Sequence, residues 1–562
     1  MHFDTVLTPQ LIKEMTEQGY WPNKTLSEFL DEAVEKVPDK VAIIYEDQKI
    51  TFKELKAETE KLAAGLVDLG ILKSDMVSVQ LPNWPEMCLY TLALARIGAV
   101  IQPMHMVYRE REIEKFLSFC ESTAVVIPHE YGGFNYAQAV LSLKPKLPQL
   151  KHVIVVGDKA PAGTVLHSDL MKPSPEKEKK LQEFLKKTPP DPNDVMFLNF
   201  TSGTEGDPKG FLHTHNTLLA NIAKATEMME SFSGGKIATD VMMAHSPMTH
   251  TFGFLNTHQV VIRKITVVLM EKYSPKAALE AIQKYKVTNM SGTPAHLIGF
   301  LNHPDLKKYD LSSLRSISTG GAACPVQLIN EIKEKLHCTV SNAYGMGENI
   351  VHTMTLPGDP PEVVFETVGR PLTALGVGLR IYDEKRENVL PDGEEGEIAY
   401  WGPSLFVGYF KMPELTKKTR TADGWFFTGD VGRIDENGCL RLGGRKKEMI
   451  NRGGTKIFPL DIENLLHSHP KIERAAVVGY PDYRLGERVG VFVVPREGQT
   501  ITLKEIEDFL NEQKVMKYKI PERMEVVKEM PLTPSGKVLK RELEKILAEK
   551  VRKEEAAKSQ GS

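Results

Sequence analysis

Residues 195–225 read VMFLNF-TSGTEGDPKG-FLHTHNTLLANIAKA. An apolar run of strand length enters a loop of Thr, Ser and Gly, and a pattern of helix length leaves it. Gly203, Gly206 and Gly210 permit tight backbone and close approach of amides to an anion. Thr201, Ser202 and Thr204 bring hydroxyl donors, and Lys209 brings a compact cation. Together these residues suit a cradle for polyphosphate oxygens. The G-x-x-x-x-G-K-[ST] pattern is not met, because Lys209 lies between Pro208 and Gly210. A glycine-rich surface turn is the competing reading, and the density of hydroxyls after an apolar strand speaks against it.

Histidines offer a second candidate chemistry, since His213/His215 and His245/His250/His258 cluster along the chain. No H-E-x-x-H or Cys/His spacing supports zinc. The five cysteines (Cys88, Cys120, Cys324, Cys338, Cys439) are dispersed with no C-x-x-C pair. A disulfide framework is therefore not expected, and a reducing, cytoplasmic setting is. Among 562 residues, Lys+Arg 71 against Asp+Glu 74 give a net charge of -3, which argues against a coat for nucleic acid or anionic lipid. With 41% hydrophobic and 26% charged residues the composition is globular. The N-terminus has no apolar signal-like region, so no signal peptide is expected. The uncharged stretch 241–262 carries His, Pro, Asn and Gln and is too polar for a spanning helix.

The elements that must position these residues follow from periodicity. LSEFLDEAVEKVPD predicts an amphipathic helix stopped near Pro38, VAIIYEDQKITF a hairpin turning at residues 46–48, and FKELKAETEKLAAGLVDLG a helix ended by Gly70. MVSVQLPN predicts a strand, with a helix through CLYTLALARIGAV after it. Alternation of this kind implies mainly parallel sheet with helices on its faces. Residues 171–193 read as a solvated spacer with a surface helix. Residues 383–397 suit a small β subdomain. The segment 443–454, glycines at both ends and charge between, reads as a hinge before a βαβ-like tail module. The fold class expected is α/β: a large N-terminal domain of layered α/β subdomains plus a β subdomain (1–445), then a small mobile α+β C-terminal domain (446–562).

The loop T-S-G-T-x-G-x-P-K-G resembles the phosphate loop of the AMP-forming, acyl-activating enzymes, which include acyl-CoA synthetases, peptide-synthetase adenylation domains and firefly-type luciferases. Further blocks appear in the family's order: SISTGGAACP (316–325), SNAYGMGEN (341–349), TVGRP (367–371), GEEGEIAYWGP (393–403), GWFFTGD (424–430), GRKKEMINRGGTKIFPLDIE (444–463) and PLTPSGKVLKREL (531–543). The resemblance runs from about residue 25 to about 545 and identifies the chain as a member of that superfamily.

The resemblance implies ATP, Mg²⁺ and CoA as cosubstrates and cofactor, a small carboxylic acid as substrate, and a monomer or homodimer without nucleic acid or a membrane span. For ATP/AMP it implies Thr201, Ser202, Gly203, Thr204, Lys209, Gly321, Ala322, Ala323, Asn342, Ala343, Tyr344, Gly345, Met346, Gly347, Asp430 and Arg445. Asp430 accepts from the ribose hydroxyls, Tyr344 offers an aromatic face to adenine, and Asn342 reads the base edge. Glu348, with Thr204, is the implied Mg²⁺ ligand. Gly347 departs from the family's usual Thr, removing one hydroxyl. Lys537 bridges carboxylate and α-phosphate oxygens as transition-state charge, Lys447 is the hinge, and Gly453 and Gly454 leave room for a pantetheine arm.

His250 resembles the gate of the acyl pocket, to which Thr251, Phe254, Leu255, residues near 291–294, Thr319, Gly320 and Met346 also belong. Phe252 and Phe254 are expected to narrow that pocket and Gly347 to widen it. The mainly apolar or small lining favours a short-to-medium branched or alicyclic acid, hydroxylated ones included, with an aryl acid second. An acid–CoA ligase is the leading reading. A stand-alone enzyme loading a carrier protein, a luciferase-like monooxygenase and a non-catalytic nucleotide-binding relative compete with it. The presence of Lys209, Glu348, Asp430, Arg445 and Lys537 argues against loss of chemistry.

Overall fold

Thr25 and Thr51 each accept a hydrogen bond from the amide three residues on, and the Glu28 and Glu54 carboxylates accept one from the threonine's own amide. These reciprocal caps start the helices Leu26–Lys36 and Phe52–Leu69. Gly70 ends the second in the left-handed region, at φ 95°, a conformation that costs glycine nothing. The hairpin expected after residue 41 forms from Val41–Tyr45 and Gln48–Thr51.

The computed structural model describes residues 1–201, 209–232, 239–292, 294–320, 326–356, 358–533 and 537–560. Among the described residues the strands gather into sheets of nine, eight, four and five strands. The nine-stranded sheet is parallel through Val41–Tyr45, Thr266–Leu269, Val241–Ala244, Asn289–Gly292, Ser316–Gly320 and Thr339–Tyr344. The eight-stranded sheet is parallel from Val195–Phe200 to Val165–Leu166, with Gly210–Thr214 and Gly408–Tyr409 added antiparallel. Helices Leu26–Lys36, Phe52–Leu69, Pro85–Ile97 and Thr251–Arg263 lie between the two sheets in the main core. Pro85–Ile97 is apolar on nearly every side and accordingly buried. Further helices cover the outer faces, which gives the layered α/β body.

Strands Gly378–Tyr382, Gly396–Trp401, Phe426–Ile434 and Leu440–Arg445 make the antiparallel β subdomain. A 3-10 turn, Lys446–Glu448, then leads to the five-stranded sheet that begins at Ile450–Arg452. This last sheet is less βαβ-like than its sequence implies. Its longest pairing, Ile472–Asp482 with Gly486–Pro495, is antiparallel, and the βαβ unit is Gly486–Pro495, Leu503–Glu512 and Arg523–Val526.

The segment 171–193 is corrected. Its helix, Pro175–Lys187, is charged outward but packs on Phe52–Leu69, and Leu181 enters the main core at 2% exposure. Leu181→Ala should therefore destabilise the protein by about 2–5 kcal/mol, where a solvated spacer would lose under about 0.5 kcal/mol. The midpoint of urea unfolding measures the difference, with Lys179→Ala as the surface control.

Candidate active site

The strand Thr339–Tyr344 delivers the chain to a tight turn. A Cβ on Gly345 would lie 1.8 Å from the carbonyl oxygen of Ile350, so only glycine fits there. The Met346 amide donates to Asn349 Oδ1 at 3.0 Å, and the Ile350 amide to the Met346 carbonyl at 2.7 Å. This fold of the loop turns Glu348 inward, to 6% exposure, where its Oε1 accepts from the Tyr409 hydroxyl at 2.9 Å. Burial raises the Glu348 pKa, while Tyr409 and Arg445 oppose the rise.

Asp430 stands beside Arg445 across the pairing of Phe426–Ile434 with Leu440–Arg445. Arg445 Nε is 3.4 Å from Asp430 Oδ1, and the Tyr344 hydroxyl donates to Oδ2. Burial pushes the Asp430 carboxyl up, against the pull of Arg445 and Tyr344. The Tyr344 ring packs on His352 at 4.5 Å, so the expected aromatic platform is also the carboxylate's anchor.

Lys537 arrives from the distant C-terminal module. The Thr533 amide donates to the Lys537 carbonyl at 2.7 Å, and the Lys537 amide to Thr533 Oγ1 at 3.0 Å, which closes the base of its turn. Lys537 is an exposed residue, yet its ammonium stands in a crowded cleft within electrostatic reach of Arg445, Asp430, Glu448, Glu348 and His250. Desolvation there and the like charge of Arg445 lower its pKa, and the three carboxylates oppose the fall. Three residues on, Lys540 lies 3.0 Å from Glu448 Oε2 and 2.9 Å from Glu463 Oε1. Lys447 occupies the middle of the 3-10 turn between the two sheets.

His250 caps helix Thr251–Arg263, its Nδ1 accepting from the Phe252 amide at 3.3 Å. Its ring stacks on His105 with centroids 6.3 Å apart, and His105 Nδ1 pairs with Thr249 Oγ1 at 3.0 Å. Burial, followed by Lys537 and His105, lowers the His250 pKa to about 3, so the ring is neutral.

Other expected site residues fall in different places. Thr201 and Lys209 close the phosphate loop's ends, amide to carbonyl at 3.1 Å, while Ser202, Gly203, Thr204 and Gly206 lie outside the described residues. So do Gly321, Ala322 and Ala323. Gly320 and Ala343 are register partners on adjacent strands, and Met346 packs at the edge of the main core. Thr251 and Leu255 are buried on their helix. Gly453 and Gly454, at φ 58° and 89°, form the turn from Ile450–Arg452 to Thr455–Ile457. That hairpin demands glycine-like backbone by itself.

Three expectations are corrected. Asn342 does not present its amide to a base edge. Its Nδ2 donates to the carbonyls of Val364 (3.3 Å) and Thr367 (3.0 Å) beneath the strand. Phe254 is no pocket wall; it is fully buried and stacks on Phe197 at 4.3 Å, whereas Phe252 is exposed. Gly347 opens no space either. A Cβ there would lie 2.3 Å from the ring of Phe211, which occupies the place of the missing side chain. Next but one on that strand, His213 Nε2 pairs with the Gly347 carbonyl at 2.8 Å. Sequence reading missed His105, Tyr409 and Phe211 and raised His213 only as a metal candidate; the long sequence separations of Tyr409, Phe211 and His213 from residues 347–348 gave no signal of their contacts.

Among the described residues no group of three or more His, Cys, Asp or Glu side chains gathers to hold a metal. Glu348 alone fits a cation whose other ligands are phosphate oxygens and water, the mode that Mg²⁺ favours. Among the same residues no helix is long and apolar enough to cross a membrane.

An inward carboxylate at Glu348, a second anchored carboxylate at Asp430 and a lysine brought from a second module are thus gathered at one cleft. The family model of the AMP-binding enzyme matches residues 30–410, and that of the AMP-binding enzyme C-terminal domain matches residues 461–537. The 2,3-dihydroxybenzoate-AMP ligase of Bacillus subtilis is 32% identical over 96% of this chain and 97% of its own. The medium-chain fatty-acid–CoA ligase of Escherichia coli is 32% identical over 93% and 90%. ATP-bound MatB from Rhodopseudomonas palustris superposes with a TM-score of 0.78 at 26% identity, over 93% of this chain and 99% of that one. The chain belongs to the AMP-binding enzyme family, the adenylate-forming ligases.

Two outcomes follow from this geometry. Gly347→Ala drives its methyl into Phe211, and Phe211→Leu in the same chain relieves it. A double-mutant cycle on unfolding midpoint should show favourable coupling on the order of 1 kcal/mol or more, and strict additivity would contradict the contact. Tyr409→Phe removes a hydrogen bond that lowers the Glu348 pKa. The acid limb of kcat/KM for ATP, followed by pyrophosphate release, should therefore move to higher pH; an acidward shift would oppose the assignment.

Proposed function

We propose that the protein is an acid–CoA ligase (AMP-forming) acting on a short-to-medium branched or alicyclic carboxylic acid, hydroxylated ones included. The observation that carries this reading is the position of Lys537, which is held with Arg445, Asp430 and Glu348 and faces His250. In the first step a carboxylate oxygen bonds to the α-phosphorus of ATP and the bond to pyrophosphate breaks. In the second, the CoA thiolate bonds to the acyl carbon and the bond to AMP breaks. Neither displacement calls for a general base once carboxylate and thiolate are ionised, so positioning and charge neutralisation are the tasks left to the protein.

Asp430 accepts the ribose hydroxyls, with Arg445 and Tyr344 fixing its orientation. Lys537 neutralises charge on carboxylate and α-phosphate oxygens, and Thr201 and Lys209 belong to the phosphate cradle. Glu348 would hold a Mg²⁺ ion, which would supply further neutralisation of charge on the phosphates. Lys447 is the hinge that exchanges Lys537 for the Gly453–Gly454 turn, where CoA approaches. With Phe211 filling the space beside Gly347, the lining favours compact acids over long chains. An aryl acid is the second reading, favoured by the likeness to the 2,3-dihydroxybenzoate-AMP ligase.

A panel of acids with ATP, Mg²⁺ and CoA should yield AMP, pyrophosphate and a thioester mass in equal amounts; ADP in place of AMP rejects the reaction. Lys537→Ala should slow adenylate formation by about 10²–10³-fold, as loss of a transition-state charge partner does. The same variant should convert preformed acyl-adenylate to thioester at nearly the wild-type rate. Equal loss in both half-reactions would remove Lys537 from the role given to it.

A further inference from the structure

Helix Lys540–Gln560 begins three residues after Lys537 and is firmly docked. Its Leu543 and Leu547, at 1% and 0% exposure, join Ala476, Val478 and Phe492 of the last sheet in one apolar cluster. The chain before the helix is braced as well: the Leu539 amide donates to the Pro531 carbonyl at 2.8 Å, and Val538 bridges to Leu532. Two lysines therefore stand on one short, fixed stretch, and their surroundings differ.

Lys540 Nζ meets three carboxylate oxygens: Glu463 Oε1 at 2.9 Å, Glu463 Oε2 at 3.0 Å and Glu448 Oε2 at 3.0 Å. An ammonium has three donors, so all of them are engaged. Glu463 is the rigid member. It is 7% exposed on helix Pro459–His467, and its Oε1 also accepts from the Val477 amide at 2.6 Å. Glu448 is the member that reaches the cleft: it lies on the 3-10 turn and acts electrostatically on Asp430 and Lys537. Lys537 Nζ, by contrast, has no hydrogen bond or ion pair among the described residues. Burial opposes the charge on Lys540, yet Glu463 and Glu448 outweigh it and raise the pKa, whereas desolvation and Arg445 lower that of Lys537. An ammonium and a carboxylate that share a poorly solvated cleft attract one another. Glu448 is thus a competitor for Lys537, and Lys540 is what restrains it.

We propose that Lys540 is a positioning residue: by taking up Glu448 together with Glu463 it keeps Glu448 from pairing with Lys537, and so leaves the Lys537 ammonium free to meet carboxylate and phosphate oxygens. The role rests on the ligase reading above and deepens it. Glu448 still offsets the charge of Lys537 across the cleft, but from a fixed place. A lysine that bonds substrate oxygens in one step and withdraws for the next gains from having no protein partner to leave.

Reductive methylation with formaldehyde and cyanoborohydride, read lysine by lysine by peptide mass spectrometry, tests the placement without any acid substrate. Only the unprotonated amine reacts, so an ion pair slows it. In the unaltered protein Lys537 should be methylated at least about tenfold faster than Lys540. Lys540→Met should slow methylation of Lys537 about threefold or more, as Glu448 turns to it, and Glu448→Gln in the same chain should restore the rate. Lys264, whose side chain is 5% exposed, reports unfolding in the same spectra. With the best acid of the panel above, pyrophosphate release should follow the same order: a loss of about tenfold or more in Lys540→Met, most of it recovered in the double variant. A merely structural role of Lys540 gives no recovery, because Glu463 stays unpaired in both variants. Equal methylation of Lys537 and Lys540 in the unaltered protein overturns the proposal whether or not the variants fold, and a double variant no better than the single one overturns it as well. Methylation in the expected order with no pyrophosphate from any acid upholds the sequestering of Glu448 and overturns the ligase reading alone.

Discussion

A single ammonium group has to be carried across a module boundary into a cleft that already holds a guanidinium. Lys537 and Arg445 repel one another, and the cleft tolerates both because Asp430, Glu348 and Glu448 stand within reach. Like charges that share a poorly solvated cleft disfavour one another, so the carboxylates are a condition of the geometry. Each is itself constrained. Asp430 is gripped by Arg445 and Tyr344, Glu348 by Tyr409, and Glu448 by Lys540. The carboxylates that offset Lys537 are therefore each held in place by a partner of their own.

The same accounting explains the join between modules. Lys446 is tied to Glu397 of the β subdomain at 3.0 Å, and Glu448 is tied to Lys540 of the C-terminal module at 3.0 Å. The backbone of Lys447 thus lies between one anchor to each side. On the proposed hinge reading, rotation at that residue would leave both ion pairs intact while moving Lys537, which is only three residues from Lys540. The proposed hinge, flanked in this way, would favour a rigid-body motion about one short turn over a diffuse loosening of the linker.

Much of this could be read in the chain beforehand. Caps at Thr25 and Thr51, the stop at Gly70 and the alternation of strand and helix are local chemistry, and the structure follows them. The motif residues around 348, 430 and 537 were legible because each lies in a short, ordered pattern. What escaped were relations between distant segments. Gly347 looked like a lost hydroxyl and a wider pocket, but its meaning depends on Phe211, more than a hundred positions earlier. Asn342 looked available, but strand alternation turns its amide towards the carbonyls of 364 and 367. Phe254 looked like a pocket wall because it follows His250 in the motif, and a motif does not say which neighbour its apolar residues meet. The helix Pro175–Lys187 misled for the opposite reason: its charge density hid Leu181, Phe184 and Leu185, which dock it on the main core.

Histidines supply the last constraint on the chemistry. His105 and His213 are held to pKa values of about 4, and His245 and His250 to about 3, chiefly by burial. At neutral pH all four are uncharged, and none can protonate a leaving group. That suits a reaction whose two displacements start from anions and whose difficulty is charge build-up on phosphate and acyl oxygens. Charge is therefore assigned to lysine, arginine and carboxylates, while the imidazoles shape and hydrogen-bond. His213 fixes the Gly347 carbonyl, His105 packs on His250, and His250 caps the helix behind the pocket. A protonated imidazole at His250 would add a further cation to the face that Lys537 must approach, so its neutrality is part of what allows the lysine in.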